Sequence, residues 1–159
     1  MSEPIVRAVE HVSIAVRDAA AAKQTFAALG FEPQWVEDLP AQGLRSHVLR
    51  AGGVVLELIE PAPAAPAAAP AAGSLERFLA RRGEGLHHLC LRVHSLEEAA
   101  RAVEAAGMRL VDAEPTVDEQ GRRVFVHPDS AHGVLIGLVE LHRGHEAPPG
   151  QPPPGPPTS

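Results

Sequence analysis

The chain has 159 residues and a formal net charge of -6 at pH 7, with 45% hydrophobic, 21% charged and 3% aromatic residues. This length is typical of one globular domain and excludes a large multidomain protein. Because basic residues are scattered and aromatic side chains are few, nucleic acid and anionic membrane surfaces are poor candidate partners. The N-terminus lacks a signal-peptide pattern and no run approaches the roughly 20 apolar residues that span a bilayer, so we expect a cytoplasmic location. The single cysteine, Cys90, agrees with a reducing compartment.

Much of the proline and glycine of the chain lies in two segments. Residues 61–73 read PAPAAPAAAPAAG, and residues 144–159 read GHEAPPGQPPPGPPTS. Proline-rich runs lack backbone donors and favour extended conformers. We therefore predict a linker at 61–73 and a disordered tail at 144–159, attached to a single domain over 5–142.

The predicted domain contains an internal repeat, with one module at 5–60 and a second at 85–142. HVSIAVRDAAAAKQTFAALGF from His11 corresponds to HLCLRVHSLEEAARAVEAAGM from His88. Each copy begins with the period-two alternation of a strand and continues into an Ala-rich helix that ends at a glycine. Asp18 and Ser95 occupy the expected N-cap positions of these helices.

Three further strands complete each copy. VVLELIE from position 54 closes the first copy, and VLIGLVE from position 134 closes the second. A linking helix is predicted over 74–83, capped by Ser74 and ended by Gly83. The other candidate strands are Glu32–Val36, Arg45–Leu49, Arg109–Asp112 and Arg122–Val126. Each copy is thus a βαβββ module, and the predicted fold class is α+β.

Three side chains of these strands could bind a metal ion. His11 and His88 occupy equivalent positions, so each offers an imidazole on the same side of a sheet. Glu57 lies in an apolar run, where an isolated charge is costly. Two His and one carboxylate form a site for Zn, Co, Mn or Fe(II) with open positions for substrate. The alternatives are two structural histidines and a Glu57 that is solvated at a sheet edge.

The other polar candidates have simpler interpretations. His87 faces away from the neighbouring His88, which favours a structural role. Cys90 is expected to fill the wall of the cavity and not to act as a nucleophile. We expect the remaining strand and loop histidines to face solvent, namely His47, His94, His127 and His132.

These residues resemble the vicinal-oxygen-chelate (glyoxalase/bleomycin resistance/dioxygenase) superfamily, and within it the methylmalonyl-CoA epimerase family. The resemblance covers nearly the whole chain apart from the linker and tail. It implies that paired βαβββ modules form a curved mixed sheet around a divalent metal held by His11, Glu57 and His88. The matching segments are HVSIAV at 11–16, LELIEP at 56–61, FLARRGEGLHH at 78–88, AEP at 113–115, HPDS at 127–130 and GVLI at 133–136.

The resemblance also implies an activity, the epimerisation of methylmalonyl-CoA or a related 2-substituted acyl-CoA. In that reaction a metal-polarised thioester carbonyl stabilises an enolate, a carboxylate removes the α-proton, and reprotonation from the other face inverts the centre. Glu57 is the candidate base, and Gln42, His127 and Ser130 are candidates for substrate contact. The superfamily further implies a homodimer.

One position departs from the family pattern. The family carries GVLIEL in its closing strand, where the Glu is a fourth ligand and a proposed base, but this chain has Gly137 there. The repeat supports the same conclusion, because Gly137 corresponds to Glu57. Glu140 is three positions further along and is expected on the other face of the strand. No second carboxylate follows Gln42-Gly43, where some members carry one. The change Gly137→Glu is therefore expected to raise epimerisation.

Two other functions are compatible with the same residues. Two His and one carboxylate with open positions are also the arrangement of non-haem Fe(II) oxygenases. The absence of a Glu at position 137 fits a non-catalytic protein that binds a small molecule on this fold. Bound iron together with oxygen consumption would identify the oxygenase. Stabilisation by a ligand without turnover would identify the binding protein.

Overall fold

A computed structural model describes residues 3–62 and 73–144. The chain divides into two compact units. We call Ser13–His87 the continuous unit, and the residues before Ser13 together with those from His88 onward the split unit. Most of the predicted linker and nearly all of the predicted tail lie outside the described residues.

The described residues form eight strands, three helices and two short 3-10 turns. The turns are Pro40–Gln42 and Pro128–Ser130. The strands and helices, in chain order, are β1 Val6–Ala15, α1 Ala19–Ala27, β2 Glu32–Leu39, β3 Leu44–Ala51, β4 Val54–Pro61, α2 Ser74–Arg82, β5 Gly85–Val93, α3 Leu96–Ala105, β6 Thr116–Val117, β7 Gly121–Val126 and β8 Leu135–Leu141.

The continuous unit is built on an antiparallel meander of β2, β3 and β4. Val48 of β3 lies directly opposite Glu57 of β4. The backbone N–H of Val16 donates to the carbonyl of Ile59 at 2.9 Å, which joins the end of β1 to the other side of β4. The largest buried apolar cluster of this unit contains Ala15, Leu44, Ile59, Leu75 and Leu79.

In the split unit, β8 lies between a parallel neighbour, β5, and an antiparallel neighbour, β7. Gly137 of β8 has Cys90 of β5 on one side and Phe125 of β7 on the other. Helix α3 packs on one face of these strands, and Leu138 belongs to that cluster. Because side chains alternate along a strand, position 137 belongs to the opposite face.

The helix ends agree with the sequence at three positions and disagree at one. The Asp18 carboxylate accepts from the backbone N–H groups of Ala20 and Ala21, and the Ser95 hydroxyl accepts from that of Glu98, so both predicted caps are confirmed. Gly83 ends α2, as predicted. The predicted Ser74 cap is wrong, because Gly73 precedes the helix with a left-handed φ of 77° and Ser74 is already helical.

Both closing strands carry a carboxylate that binds the start of a helix. A Glu60 oxygen accepts from the backbone N–H of Ala19 at 2.9 Å, and a Glu140 oxygen accepts from that of Leu96 at 2.7 Å. Each carboxylate accepts from a backbone N–H that has no partner within its helix, and it lies at the positive end of the helix dipole. Since Leu96 begins α3, Glu140 lies on the helix face of β8. The expectation that it faces away from position 137 is confirmed.

The predicted strand over Arg109–Asp112 is wrong. Only Leu110 forms an isolated bridge, to Val126, and the short strand β6 lies further on at Thr116–Val117. The chain leaves the sheet at Asp112, so the ladder does not extend. The remaining predicted strands are present, and the α+β class with its paired βαβββ modules is confirmed. No helix among the described residues is long and apolar enough to cross a membrane.

Replacing Glu140 by Ala should lower the free energy of unfolding by about 1–3 kcal/mol, because the Leu96 N–H loses its acceptor and Arg122 loses an ion-pair partner at 3.0 Å. Urea denaturation followed by far-UV circular dichroism measures the change. Glu104→Ala, at an exposed position of the same helix, is the matched control. A loss no larger than that of the control would contradict the capping role.

Candidate metal centre

The two equivalent histidines meet in the split unit. His11 lies on β1 and His88 on β5, and their Nε2 atoms are 3.3 Å apart. The ring centroids are 5.4 Å apart with an interplanar angle of 75°. His88 is buried and His11 half-buried. The structure thus brings the Nε2 atoms of both imidazoles next to each other.

The separation of these nitrogens fits two ligands of one metal ion. Metal–nitrogen bonds of 2.0–2.1 Å at a tetrahedral angle place two ligand nitrogens about 3.3 Å apart. The Nε2 atoms of His11 and His88 already have this separation. Imidazole nitrogens are common ligands of Zn, Co and Fe(II). The donor set of the split unit therefore fits a divalent transition metal without rearrangement of the two rings.

Glu57 lies on β4 of the continuous unit. Its Oε1 accepts a hydrogen bond from the Ser46 hydroxyl at 2.8 Å, and Ser46 is 2% exposed. Strand β4 has β3 on one side and β1 on the other. The alternative that placed Glu57 at a sheet edge is therefore wrong. A half-buried carboxylate with a defined hydrogen bond is an oriented group, as a ligand or a base must be.

His87 has the structural surroundings that its place next to His88 predicts. Its ring contacts Phe78 of α2 edge-on, with centroids 4.7 Å apart. Burial lowers the pKa of His87, and the Glu57 carboxylate opposes that shift by a smaller amount. The imidazole is therefore neutral at pH 7, and it packs as a core side chain.

His47 corrects one prediction. It was expected to face solvent, but it is 6% exposed and its Nε2 is 2.8 Å from Glu60 Oε1. Its partner is the carboxylate that binds the start of α1, so His47 belongs to that structural network. His94 and His132 are exposed, as predicted, whereas His127 is half-buried.

Two of the three candidates for substrate contact, Gln42 and Ser130, lie in the short turns, and His127 directly precedes the second turn. Gln42 ends the first turn and is half-buried. In the second turn, the Ser130 hydroxyl accepts from the backbone N–H of Arg109 at 3.0 Å. His127 Nδ1 accepts from the backbone N–H of Asp129 at 3.2 Å. His127 and Ser130 therefore act together in shaping the second turn.

Sequence reasoning did not identify Phe125 as part of this region. Its ring meets the His88 ring edge-on, with centroids 5.4 Å apart and an interplanar angle of 89°. It is also the cross-strand neighbour of Gly137. The only signal in the sequence is that Phe125 is one of four phenylalanines in a chain with few aromatic residues. Its position relative to His88 follows from the register of β7 on β8, which composition does not reveal.

The family of the chain follows from a comparison with family models. Residues 10–126 match the model of the Glyoxalase/Bleomycin resistance protein/Dioxygenase superfamily. The match includes His11, Glu57, His88 and Phe125, and it covers the whole of the continuous unit and half of the split unit.

Individual relatives match over nearly their whole length. An ethylmalonyl-CoA/methylmalonyl-CoA epimerase of Cereibacter sphaeroides is 33% identical over 82% of this chain and 96% of that protein. The uncharacterized protein YqjC of Bacillus subtilis is 31% identical over 86% of this chain and 97% of its own. The crystal structure of methylmalonyl-CoA epimerase from Mycobacterium tuberculosis has a TM-score of 0.74 at 30% identity and covers 89% of this chain and 93% of its own.

Proposed function

Because the chain belongs to the Glyoxalase/Bleomycin resistance protein/Dioxygenase superfamily, we propose that it is a metal-dependent epimerase of methylmalonyl-CoA or a related 2-substituted acyl-CoA. A relative named as an ethylmalonyl-CoA/methylmalonyl-CoA epimerase is 33% identical over 82% of the chain. The observation that carries the proposal is the pair of imidazoles whose Nε2 atoms are 3.3 Å apart. Two such imidazoles would hold the metal ion that acts as the electrophile in this epimerisation.

His11 and His88 are the two nitrogen ligands of the proposed site, and Glu57 is the third ligand. When bound, a divalent metal supplies a Lewis acid that polarises the thioester carbonyl. The hydrogen bond from Ser46 uses one oxygen of Glu57. The two oxygens of a carboxylate have several acceptor sites, so one such group can both bind a metal and accept a proton.

Glu57 is also the proposed base. It takes the proton from C2, and the electron pair of the broken C–H bond delocalises into the thioester carbonyl. Water returns a proton to the opposite face of C2, and Glu57 then releases its own proton to solvent. The scheme uses one base, because position 137 carries no side chain and Ser46, which contacts Glu57, carries a hydroxyl and not a carboxylate.

A second function is favoured by the same three ligands. Two His and one carboxylate, with open coordination positions, are typical of non-haem Fe(II) oxygenases. A glycine at position 137 adds no fourth ligand, which leaves more positions open. Measuring oxygen consumption by the Fe(II)-loaded protein beside its proton-exchange activity compares the two functions directly.

The Co²⁺-loaded protein should exchange the C2 proton of methylmalonyl-CoA for deuterium in D₂O, because reprotonation uses solvent. NMR spectroscopy measures the exchange, and the same protein after chelation is the control. Exchange no faster than in the chelated control, with Co²⁺ demonstrably bound, would contradict the epimerase function. Substrate-dependent oxygen uptake by the Fe(II) form in that case would favour the oxygenase.

Glu57→Gln should slow the exchange by about 10²- to 10⁴-fold at saturating Co²⁺, because an amide cannot accept the C2 proton. Saturation with metal separates the loss of a base from the loss of a ligand. Glu76→Gln, at an exposed position in the first turn of α2, is the matched control. An unchanged rate in the Glu57 variant would identify another group as the base.

Co²⁺ should raise the Tm of the protein, because an ion that binds only the folded state stabilises it. At about 100 times its Kd the gain is about 2.7 kcal/mol, or roughly 5–10 °C for a chain of this size. His11→Ala and His88→Ala should remove most of the shift, whereas His94→Ala, at an exposed position, should retain it. Calorimetric scans measure the shift, and equal shifts in all three variants would contradict the proposed ligands.

A further inference from the structure

Ser13 of the continuous unit is a buried serine whose hydroxyl has no hydrogen-bond partner among the residues that the structure describes. Its side chain is 0% exposed. A buried hydroxyl that loses its contact with water and gains no partner destabilises the folded protein. Such a group therefore needs an explanation, and one explanation is a partner that the hydroxyl gains in the functional state.

The repeat places Ser13 beside Glu57. In the split unit, Cys90 of β5 is the parallel partner of Gly137 of β8. Ser13 is the equivalent of Cys90 in the repeat, and Glu57 is the equivalent of Gly137. Strands β1 and β4 are neighbours, as β5 and β8 are. Ser13 and Glu57 are therefore expected to be parallel partners in the continuous unit.

A backbone hydrogen bond in the continuous unit gives the same register. The N–H of Val16 donates to the carbonyl of Ile59 at 2.9 Å. In a parallel ladder this hydrogen bond forms when Ala15 lies beside Ile59. Two positions earlier on both strands, Ser13 lies beside Glu57. Partners on neighbouring strands share a face of the sheet, so the Ser13 hydroxyl and the Glu57 carboxylate lie on the same face.

Glu57 thus has a buried serine on each neighbouring strand. Ser46 of β3 donates to Oε1 of Glu57 at 2.8 Å, whereas Ser13 of β1 donates to no group that the structure describes. A carboxylate has two oxygens with about four acceptor sites, so it can accept from both hydroxyls. Neighbouring strands are about 4.8 Å apart, so rotation of the side chains brings the Ser13 hydroxyl within reach of the carboxylate.

We propose that Ser13 is a positioning residue for Glu57, to which its hydroxyl donates a hydrogen bond when the carboxylate holds the metal ion. This role rests on the proposed metal-binding function. A donor on each side fixes the carboxylate between β1 and β3, so that it presents an oxygen to the ion in one direction. In the metal-free protein the hydroxyl has no such partner, so Ser13 contributes to binding and not to stability.

The test compares Ser13→Ala with the unchanged protein in two measurements. Competition with a chelator measures the Kd for Co²⁺ alone, and urea denaturation measures the stability of the metal-free protein. Ser46→Ala is the matched control, because it removes a buried hydroxyl that already donates to Glu57. Glu57→Ala provides a background in which Ser13 has no carboxylate to orient.

Ser13→Ala should weaken the binding of Co²⁺ by about 10- to 100-fold, as the loss of a partner of a metal ligand typically does. It should also raise the urea midpoint of the metal-free protein or leave it unchanged, because no hydrogen bond is lost. Ser46→Ala should weaken binding but lower the midpoint, because it removes an existing hydrogen bond. In the Glu57→Ala background, Ser13→Ala should not change the Kd further.

An unchanged Kd in Ser13→Ala would overturn this role, because a hydroxyl that a buried water satisfies has the same partner with and without the ion. An equal loss of affinity in the Glu57→Ala background would overturn it too, since the hydroxyl would then act on another group. A lower urea midpoint in Ser13→Ala would show that the hydroxyl already has a partner in the metal-free protein, which also contradicts the role.

The same measurements distinguish a failure of this role from a failure of the proposed function. If the unchanged protein binds no Co²⁺, the proposed function fails and the role of Ser13 fails with it. If Co²⁺ binds equally well to the unchanged protein and to Ser13→Ala, only the role of Ser13 is contradicted. The Kd is measured without substrate, so it decides the question whatever the rate of proton exchange.

Discussion

Side chains alternate between the two faces of a β-strand, and the closing strand of each unit depends on that alternation. On β8, Leu138 and Glu140 serve the face that holds α3, and Gly137 belongs to the other. On β4, Glu60 binds the start of α1, and Glu57 points to the opposite face, where Ser46 contacts it. A shift of one residue would exchange these faces, so the packing of the helices determines which residues face the proposed site.

The pair Val48 and Glu57 of the continuous unit corresponds to the pair Phe125 and Gly137 of the split unit, so the larger side chain lies opposite the residue that has none. Interiors tolerate substitutions that conserve total volume far better than those that leave a void or overfill it. A glycine alone opposite a small residue would leave the sheet face under-packed, and the Phe125 ring fills that space.

The sequence was sufficient for features that depend on local periodicity. Alternation, caps and terminal glycines predicted the βαβββ modules, and the repeat placed His11 and His88 at equivalent positions. Features that depend on the register between strands were missed. His47 is buried because β3 and β4 bring it to Glu60, and Phe125 reaches His88 because β7 pairs with β8. Single-sequence patterns contain no information about which residues of neighbouring strands face one another.

The proposed function gives Glu57 of the continuous unit two roles, as a metal ligand and as a base. The Ser46 hydroxyl orients one oxygen of Glu57, and the proposed function requires the same carboxylate to hold an ion and to take a proton. A cation bound to a carboxylate stabilises its charged form, which strengthens the group as a ligand and weakens it as a base. General-base catalysis depends on basicity as well as position, so a carboxylate that serves in both roles accepts a proton less readily than one that serves only as a base. In the proposed enzyme, the two roles of Glu57 therefore compete with each other.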